Sequence, residues 1–270
     1  MNWRACVVCS QAGPTLLFPK DGFDMVSCGA CGAVYVGQDP AGIDFEALYG
    51  EGYYTGGSEG VFADYVGQEA LRRAHARRRL LLLRTLPPRI ARRGRLLDVG
   101  CAAGFFLAEA HVHYEVQGVE LSRWSSAYAR ERLGLPVFTG TLHDAALPAG
   151  HFDVITLWDV IEHVPEPVAL LAEAARVLRP GGRLVLTTGD WDSAYAQRQG
   201  VGWHLMTPPW HLTMFGRATL ALAARRAGLH VVGMRSEGVA GDGWLWRNRA
   251  ALLLSRLLGR GDIVRMTLGR

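Results

Sequence analysis

The sequence predicts an α/β protein with a mostly parallel sheet, preceded by a small cysteine-bearing unit. Three observations predict it. From Arg95 onward, short apolar runs alternate with amphipathic stretches of helical period. The first of these runs opens into a glycine-rich turn, LLDVGCAAGFF, at Leu96–Phe106. Four of the five cysteines crowd into the first 31 residues as two C-x₂-C pairs, Cys6/Cys9 and Cys28/Cys31.

Taken in order, residues 1–40 form the cysteine unit, rich in glycine and carrying the β-prone runs TLLF and AVYV. Residues 41–94 read as a helical connector. It holds the tyrosine-rich phrase LYGEGYYTGGSEGVFADY and then a helix from about Asp64 to Leu86, stopped by Pro87 and Pro88. Residues 95–270 carry the alternation. RLLDVG, EVQGVEL, PVFTG, FDVITLW and RLVLTTG read as strands one to five. FFLAEAHVH is a helix between the first two strands. SRWSSAYARERLG is a helix with Ser122 as N-cap and Gly134 just past its end. PVALLAEAARVL is a helix with Pro167 in its first turn, and RPGG follows it before strand five. RATLALAARRAG and LHVVGMRSE add a helix and a strand. GWLWRNRALLLSRLLG reads as a late helix and DIVRMTL as a closing strand.

Composition narrows the function classes. The chain has 270 residues, 49% hydrophobic and 20% charged, which is enough for a sizeable core. It has no run of 18 apolar residues, so no transmembrane segment is expected. The first 20 residues show no apolar signal-peptide core, and a cytoplasmic protein is expected. The net charge of +4 is local: from Arg72 to Arg95 there are ten arginines and no acid, a run that reads as the solvated face of a helix.

The glycine-rich turn is the first clue to chemistry. Gly100, Ala102 and Gly104 leave the backbone open to a ligand. A dinucleotide fingerprint reads G-x-G-x-x-G, whereas this phrase reads D-x-G-x-A-x-G, with Asp98 two residues before the first glycine. An acid there suits a ligand with a positive group and disfavours a pyrophosphate.

On these residues the chain resembles the class I S-adenosylmethionine-dependent methyltransferases, over roughly residues 95 to 270. LDVGCAAG is similar to the family's first motif, with alanine at the middle glycine, Ala102. GVELS resembles the end of its second strand, FDVITLWDVIEHVPEP its fourth strand and the following loop, and RVLRPGGRLVLTT the approach to its fifth strand. The resemblance implies a Rossmann-like seven-stranded sheet with helices on both faces and the last strand antiparallel. It implies that the donor, S-adenosyl-L-methionine, lies across the carboxyl ends of the first strands. Asp98 then meets the methionine amino end, and the backbone from Gly100 through Cys101, Ala102 and Gly104 faces the methionine. Glu120 takes the ribose hydroxyls with Leu121 beside it. Thr141 or the Leu142 backbone stands where the family often has an acid for the adenine, and Trp158 and Asp159 line the pocket near the sulfonium. Phe105 and Phe106 read as core. Tyr53 and Tyr54 belong to a segment that in this family folds over the active site.

Methyl transfer requires an aligned acceptor, a dry site and often a base. A base working near pH 7 is most simply a histidine. His211, in TPPWHLTMF, is the first choice and His163, in IEHV, the second, while His204 and His143 read as structural.

The cysteines follow C-x₂-C, 18 residues, C-x₂-C, the spacing of a four-cysteine structural Zn²⁺ site. Nothing marks the chain as secreted, which disfavours disulfides, and the thioredoxin-like setting of a redox pair is absent. Some RNA methyltransferases grip RNA with such a module, and that is the rival reading. Residues 1–50 oppose it: Arg4 and Lys20 face Asp21, Asp24, Asp39, Asp44 and Glu46, a net of −3, where an RNA grip needs positive charge. The expected partner is a small-molecule acceptor from natural-product, sugar or glycolipid chemistry, with nucleic acid disfavoured. The expected state is a monomer or homodimer. Residues 244–258 offer weak contact with a membrane surface as a minority role. A donor-binding scaffold without turnover is the third reading.

Overall fold

The computed structural model describes residues 3–56, 64–83, 94–237 and 261–270. The late helix expected at 244–258 lies outside the described residues, as do Pro87 and Pro88.

Along the chain, β1 (Thr15–Lys20), β2 (Phe23–Ser27) and β3 (Val34–Val36) form an antiparallel meander. Two short helices follow, α1 (Phe45–Leu48), capped by the Asp44 carboxylate, and α2 (Glu51–Thr55). The long helix α3 spans Glu69–Leu83. The alternating region runs β4 (Arg95–Val99), α4 (Phe105–Ala110), β5 (Glu115–Glu120), α5 (Arg123–Leu133), β6 (Val137–Thr139), β7 (Phe152–Trp158), α6 (Pro167–Val177) and β8 (Leu178–Gly189). It ends with α7 (Ala194–Gln199), β9 (Thr213–Met214), α8 (Arg217–Arg226), β10 (His230–Glu237) and β11 (Ile263–Gly269).

Seven strands form one sheet in the order β10-β11-β8-β7-β4-β5-β6. The β4–β5, β4–β7 and β5–β6 pairs are parallel, and the closing pair β10–β11 is antiparallel. The Rossmann-like mixed sheet expected from the resemblance is thus the observed fold. Strand β9 joins the other sheet, in the order β1-β2-β3-β9.

Local chemistry explains the element ends. Ser122 caps α5 by accepting from the Ser125 amide at 3.2 Å, and Gly134 closes that helix in the left-handed region at φ 66°. β4 is anchored at its start, where the Arg95 amide donates to the Asp153 carboxylate at 2.7 Å. Boundaries differ from the sequence reading in two places: the helix expected from about Asp64 begins at Glu69, and strand five, expected from Arg183, already begins at Leu178 and takes in RPGG. Arg179 pairs with Asp153 of β7 at 2.7 Å, and Gly181 has a positive φ of 76°, which glycine accommodates.

The chain packs into two compact units. One comprises Asp44–Trp158, Arg176–Leu184 and Arg270; the other Met1–Ile43, Asp159–Ala175 and Val185–Gly269. The first is built on Leu96, Leu97, Leu107, Ile155 and Leu157, all fully buried, and the second on Met25, Tyr35, Leu212 and Phe215. Among the described residues no helix is long and apolar enough to cross a membrane.

Candidate functional site

In the first unit, the turn after β4 is bent back onto β5. The amides of Gly100 and Cys101 both donate to the Val119 carbonyl, at 2.8 and 3.2 Å. Gly100, Ala102 and Gly104 all have positive φ, at 69°, 49° and 83°. Ala102 therefore sits where glycine is preferred, at a cost of about 1–2 kcal/mol. The compensation is visible. Its amide donates to Glu120 Oε2 at 2.8 Å, while the Ser122 amide donates to Oε1 of the same carboxylate at 2.9 Å. Glu120, 6% exposed at the carboxyl end of β5, thus clamps the turn to the start of α5. Gly104 is required for packing as well, since a Cβ there would lie 2.7 Å from Leu135 Cδ1.

Asp98 is buried beside this turn and accepts from Thr156 Oγ1 at 2.6 Å. Burial pushes its carboxyl up to about 7, against the pull of the Thr156 hydroxyl and the Arg79 charge. Glu120 is also held above the usual carboxylate range by burial, opposed by the amides around it and the Tyr54 hydroxyl. Two buried acids thus stand at the carboxyl ends of adjacent parallel strands, the place where open α/β sheets bind ligands.

The other residues expected on the donor side differ in burial. Cys101 is buried, with its sulfur against Gly118. Leu121 is 39% exposed and Leu142 is buried. The Thr141 hydroxyl donates to Asp144 at 2.6 Å, so that side chain is already engaged and the pair is presented together. Trp158 is buried at the end of β7, with Phe106 edge-on at 5.4 Å between ring centroids. Phe105 and Phe106 lie in the core.

Of the arginine run, Arg77, Arg78 and Arg95 are exposed as a solvated face requires, Arg72, Arg73 and Arg79 are half-buried, and Arg84, Arg89, Arg92 and Arg93 lie outside the described residues. Arg73 and Arg77 pair with Glu109, at 3.1 and 3.2 Å. Arg72 covers the Tyr65 ring at 4.5 Å, and Arg79 covers the Trp158 ring at 4.6 Å. Arg72 and Arg79 are two helical turns apart, so α3 presents both to one side. That spacing was the available signal. Tyr54 was read as part of a closing segment; it is buried, stacks on Trp124 at 5.6 Å and sits by Glu120. Trp124 had no signal beyond its place in α5.

The second unit holds the histidines. His211 donates from Nδ1 to the Leu205 carbonyl at 2.6 Å, and His163 from Nδ1 to the Trp210 carbonyl at 2.9 Å. Those bonds fix the tautomer and make Nε2 the basic nitrogen of each ring. The rings meet edge to face at 4.5 Å between centroids. Glu162, unnoticed in the sequence, completes a trio: one nitrogen of each ring and a Glu162 carboxylate oxygen lie within 4.8 Å of one another. Two imidazoles and a carboxylate are also a donor set that divalent cations accept. Burial lowers both histidines below their ordinary value, with the neighbouring ring adding to the effect at His163. Burial and the Asp159 charge push Glu162 up to about 8. Both rings are neutral at pH 7, and the acid is largely protonated.

Glu162, Thr188, His211 and Thr213 face a small cleft walled by Trp203 and Phe215. The Thr188 hydroxyl faces the Glu162 carboxyl there, and Thr213 Oγ1 is buried without a hydrogen-bond partner among the described residues. Asp159, at φ 58°, is held by Thr187, whose hydroxyl donates to its carboxylate at 2.7 Å. His204 lies 3.7 Å from the buried Asp262, and His143 is exposed.

The four cysteines also belong to this unit. Their sulfurs lie within 4.8 Å of one another, with Cys6–Cys31 and Cys9–Cys28 both at 3.5 Å. Each pair forms a tight knuckle. The amides of Val8 and Cys9 point at Cys6 Sγ, at 3.4 and 3.5 Å, and the Gly32 amide closes the second knuckle on the Cys28 carbonyl. Burial raises the Cys28 thiol, but the amides of Cys31 and Ala30 outweigh it and bring the group down to about 7. Four converging sulfurs with amides aimed at them fit a tetrahedral Zn²⁺.

Comparison with known proteins agrees with this geometry. A family model described as a methyltransferase domain matches residues 68–233. The ubiquinone biosynthesis O-methyltransferase of Xanthomonas axonopodis pv. citri is 33% identical over 174 residues, covering 58% of this chain and 70% of that protein. The same-named protein of Aromatoleum aromaticum is 36% identical over 103 residues, covering 35% and 43%. For the first curated relatives matched, the chain spans only 30–44% of their length. A Thermotoga maritima crystal structure described as a possible histamine N-methyltransferase superposes with a TM-score of 0.55 at 21% identity, covering 76% of this chain and 94% of that one. At that identity the likeness establishes the shared fold.

Proposed function

Because the chain belongs to the methyltransferase-domain family, we propose that it transfers the methyl group of S-adenosyl-L-methionine to a hydroxyl of a small-molecule acceptor. The observation that carries this reading is the cradle at the ends of β4 and β5. Two buried carboxylates, Asp98 and Glu120, flank a turn with positive-φ residues. A phosphate-bearing dinucleotide is repelled there, and a cationic, ribose-bearing ligand is attracted.

In this reading Asp98 takes the donor's ammonium and Glu120 its ribose hydroxyls. Arg79, held over Trp158 and within electrostatic reach of Asp98, takes the donor carboxylate. Tyr54 and Trp124 cover the ribose side. The Gly100–Gly104 backbone lines the methionine, and Leu142 and the Thr141–Asp144 pair border the adenine. The sulfonium supplies an activated methyl group. His211, neutral and buried, accepts the acceptor's hydroxyl proton at Nε2 as the oxygen attacks the methyl carbon. The S–C bond breaks, its electron pair stays on sulfur, and S-adenosylhomocysteine results. The protonated Glu162 donates to the acceptor oxygen, and the edge-to-face contact of His163 holds the His211 ring. The O-directed names of the curated relatives support a hydroxyl acceptor, and the acidic cysteine unit supports a small molecule over RNA. The cysteines hold Zn²⁺ as a structural ion.

The test has two stages. Calorimetry should show S-adenosylhomocysteine binding and no NAD binding. Methyl-labelled donor with a panel of phenols, catechols and sugars should then label one class, and His211→Ala should lose about 100-fold or more in turnover with homocysteine-form binding intact. No binding of S-adenosylhomocysteine overturns the reading, and a fully active His211→Ala removes His211 from the role.

A further inference from the structure

The cysteine unit touches the chemistry through its backbone. Strand β3 follows the second knuckle directly and pairs with β9, Val34 opposite Met214 and Tyr35 opposite Thr213. The ladder runs one residue further. The Val36 amide donates to the Leu212 carbonyl at 2.9 Å, and the Leu212 amide donates to the Glu162 carbonyl at 2.7 Å. Leu212, fully buried, is therefore tied on one side to the cysteine hairpin and on the other to the acid of the trio. His211 is the residue before it.

A second tie runs through a side chain. Arg4 lies two residues before Cys6 in the first knuckle. Its amide donates to the Gly37 carbonyl at 2.8 Å, its Nε to the Val36 carbonyl at 3.0 Å and its Nη1 to the Pro165 carbonyl at 3.2 Å. The Tyr35 hydroxyl returns a bond to the Arg4 carbonyl at 3.2 Å, and the guanidinium lies 5.7 Å from the Tyr35 ring centre. Pro165 closes the loop that carries Glu162 and His163. One planar fork thus spans from the edge of the hairpin to that loop, which a lysine ammonium cannot do.

We propose that Arg4 is a positioning residue, and that the four-cysteine hairpin acts through it and through Leu212 to hold His163, Glu162 and His211 in one geometry. The proposal rests on the reading of these residues as the acceptor-side machinery. The histidine rings are steered by backbone carbonyls, Trp210 and Leu205, that lie in the same loop as Leu212, so a shift of that loop turns both rings. A displacement of about 1 Å at a reacting group is enough to lose about 100-fold in rate. The donor cradle is built from other elements, β4, β5 and α5.

The experiment needs no known acceptor. Protein labelled with ¹³C at histidine Cε1 gives one signal per ring, and those of His163 and His211 are assigned by replacing each with glutamine. Arg4→Gln is expected to shift or broaden those two signals while leaving His143 and His151 in place, with S-adenosylhomocysteine affinity changed less than 2-fold. Unmoved His163 and His211 signals in Arg4→Gln overturn the proposal. Should that variant not fold, Arg4→Lys keeps the charge and stem and is judged by the same two signals. Once an acceptor is in hand, kcat should fall about 10-fold or more with the donor KM unchanged. Moved signals with an unchanged kcat would overturn the role of the tie in the reaction. A fully active His211→Ala would instead place the failure in the reading of His211 as the base.

Discussion

Removing one hydroxyl tests the donor cradle most sharply. Thr156 Oγ1 donates to Asp98 at 2.6 Å, and both groups are buried. Thr156→Val keeps the shape and deletes that bond. A hydrogen bond to a charged group contributes about 1.5–3 kcal/mol, and one pKa unit is about 1.4 kcal/mol. The Asp98 carboxyl, at about 7 in the native protein, should therefore rise by about 1–2 units. Donor binding needs the carboxylate to face an ammonium, so a protonated Asp98 must first lose its proton. At pH 7 that step weakens the variant's affinity by about 10-fold relative to wild type; at pH 9 both carboxyls are largely ionised and the difference shrinks to about 2-fold or less. Calorimetry with S-adenosylhomocysteine at the two pH values measures it, with melting temperature as the control for folding. An equal loss at both pH values would mean a structural lesion, and no loss at either would remove Asp98 from the donor's ammonium. Either result refutes the assignment.

Three further outcomes follow from the packing and the charges. Glu162, at about 8 against an ordinary 4.5, retains its proton in the folded state. Its contribution to stability is full below about pH 4.5 and is lost progressively from there up to about 8; Glu162→Gln should flatten the fall in melting temperature between about pH 5 and 8, and an unchanged slope would contradict it. At Gly118 a Cβ would lie 2.7 Å from both Cys101 Sγ and Leu107 Cδ1 and 2.9 Å from Val137 Cγ2. Gly118→Ala should destabilise by about 1–3 kcal/mol, read as a lower denaturant midpoint with unchanged slope. Protein purified without chelator should carry one equivalent of zinc, and Cys28→Ser should lose most of it together with thermal stability; zinc far below one equivalent in the native protein refutes the four-thiolate site.

The strand–helix alternation was legible from Arg95 onward because each element carries its own period and punctuation. Ser122 and Gly134 marked the ends of α5 by chemistry that acts within four residues. Asp98 and Glu120 were legible because they sit at fixed positions on the ends of strands, and the cysteines because metal knuckles need a set spacing. The partners that cross the chain were not. Arg79 over Trp158 depends on which face α3 turns inward, and a run of ten arginines gives no priority to one of them. Glu162 was hidden between two named neighbours, since its value comes from burial and from the meeting of two loops 50 residues apart.

The sequence by itself determined the class of fold, the order of its elements, the acid-bearing glycine turn and the four-sulfur cluster, all set by short-range spacing and side-chain type. Only the tertiary structure decided that β9 completes the cysteine sheet and that Leu212 joins this sheet to Glu162. It also decided that the two histidines share one tautomer and meet ring to ring. Those are matters of long-range backbone pairing and burial, where many registers satisfy the local pattern equally and packing selects one.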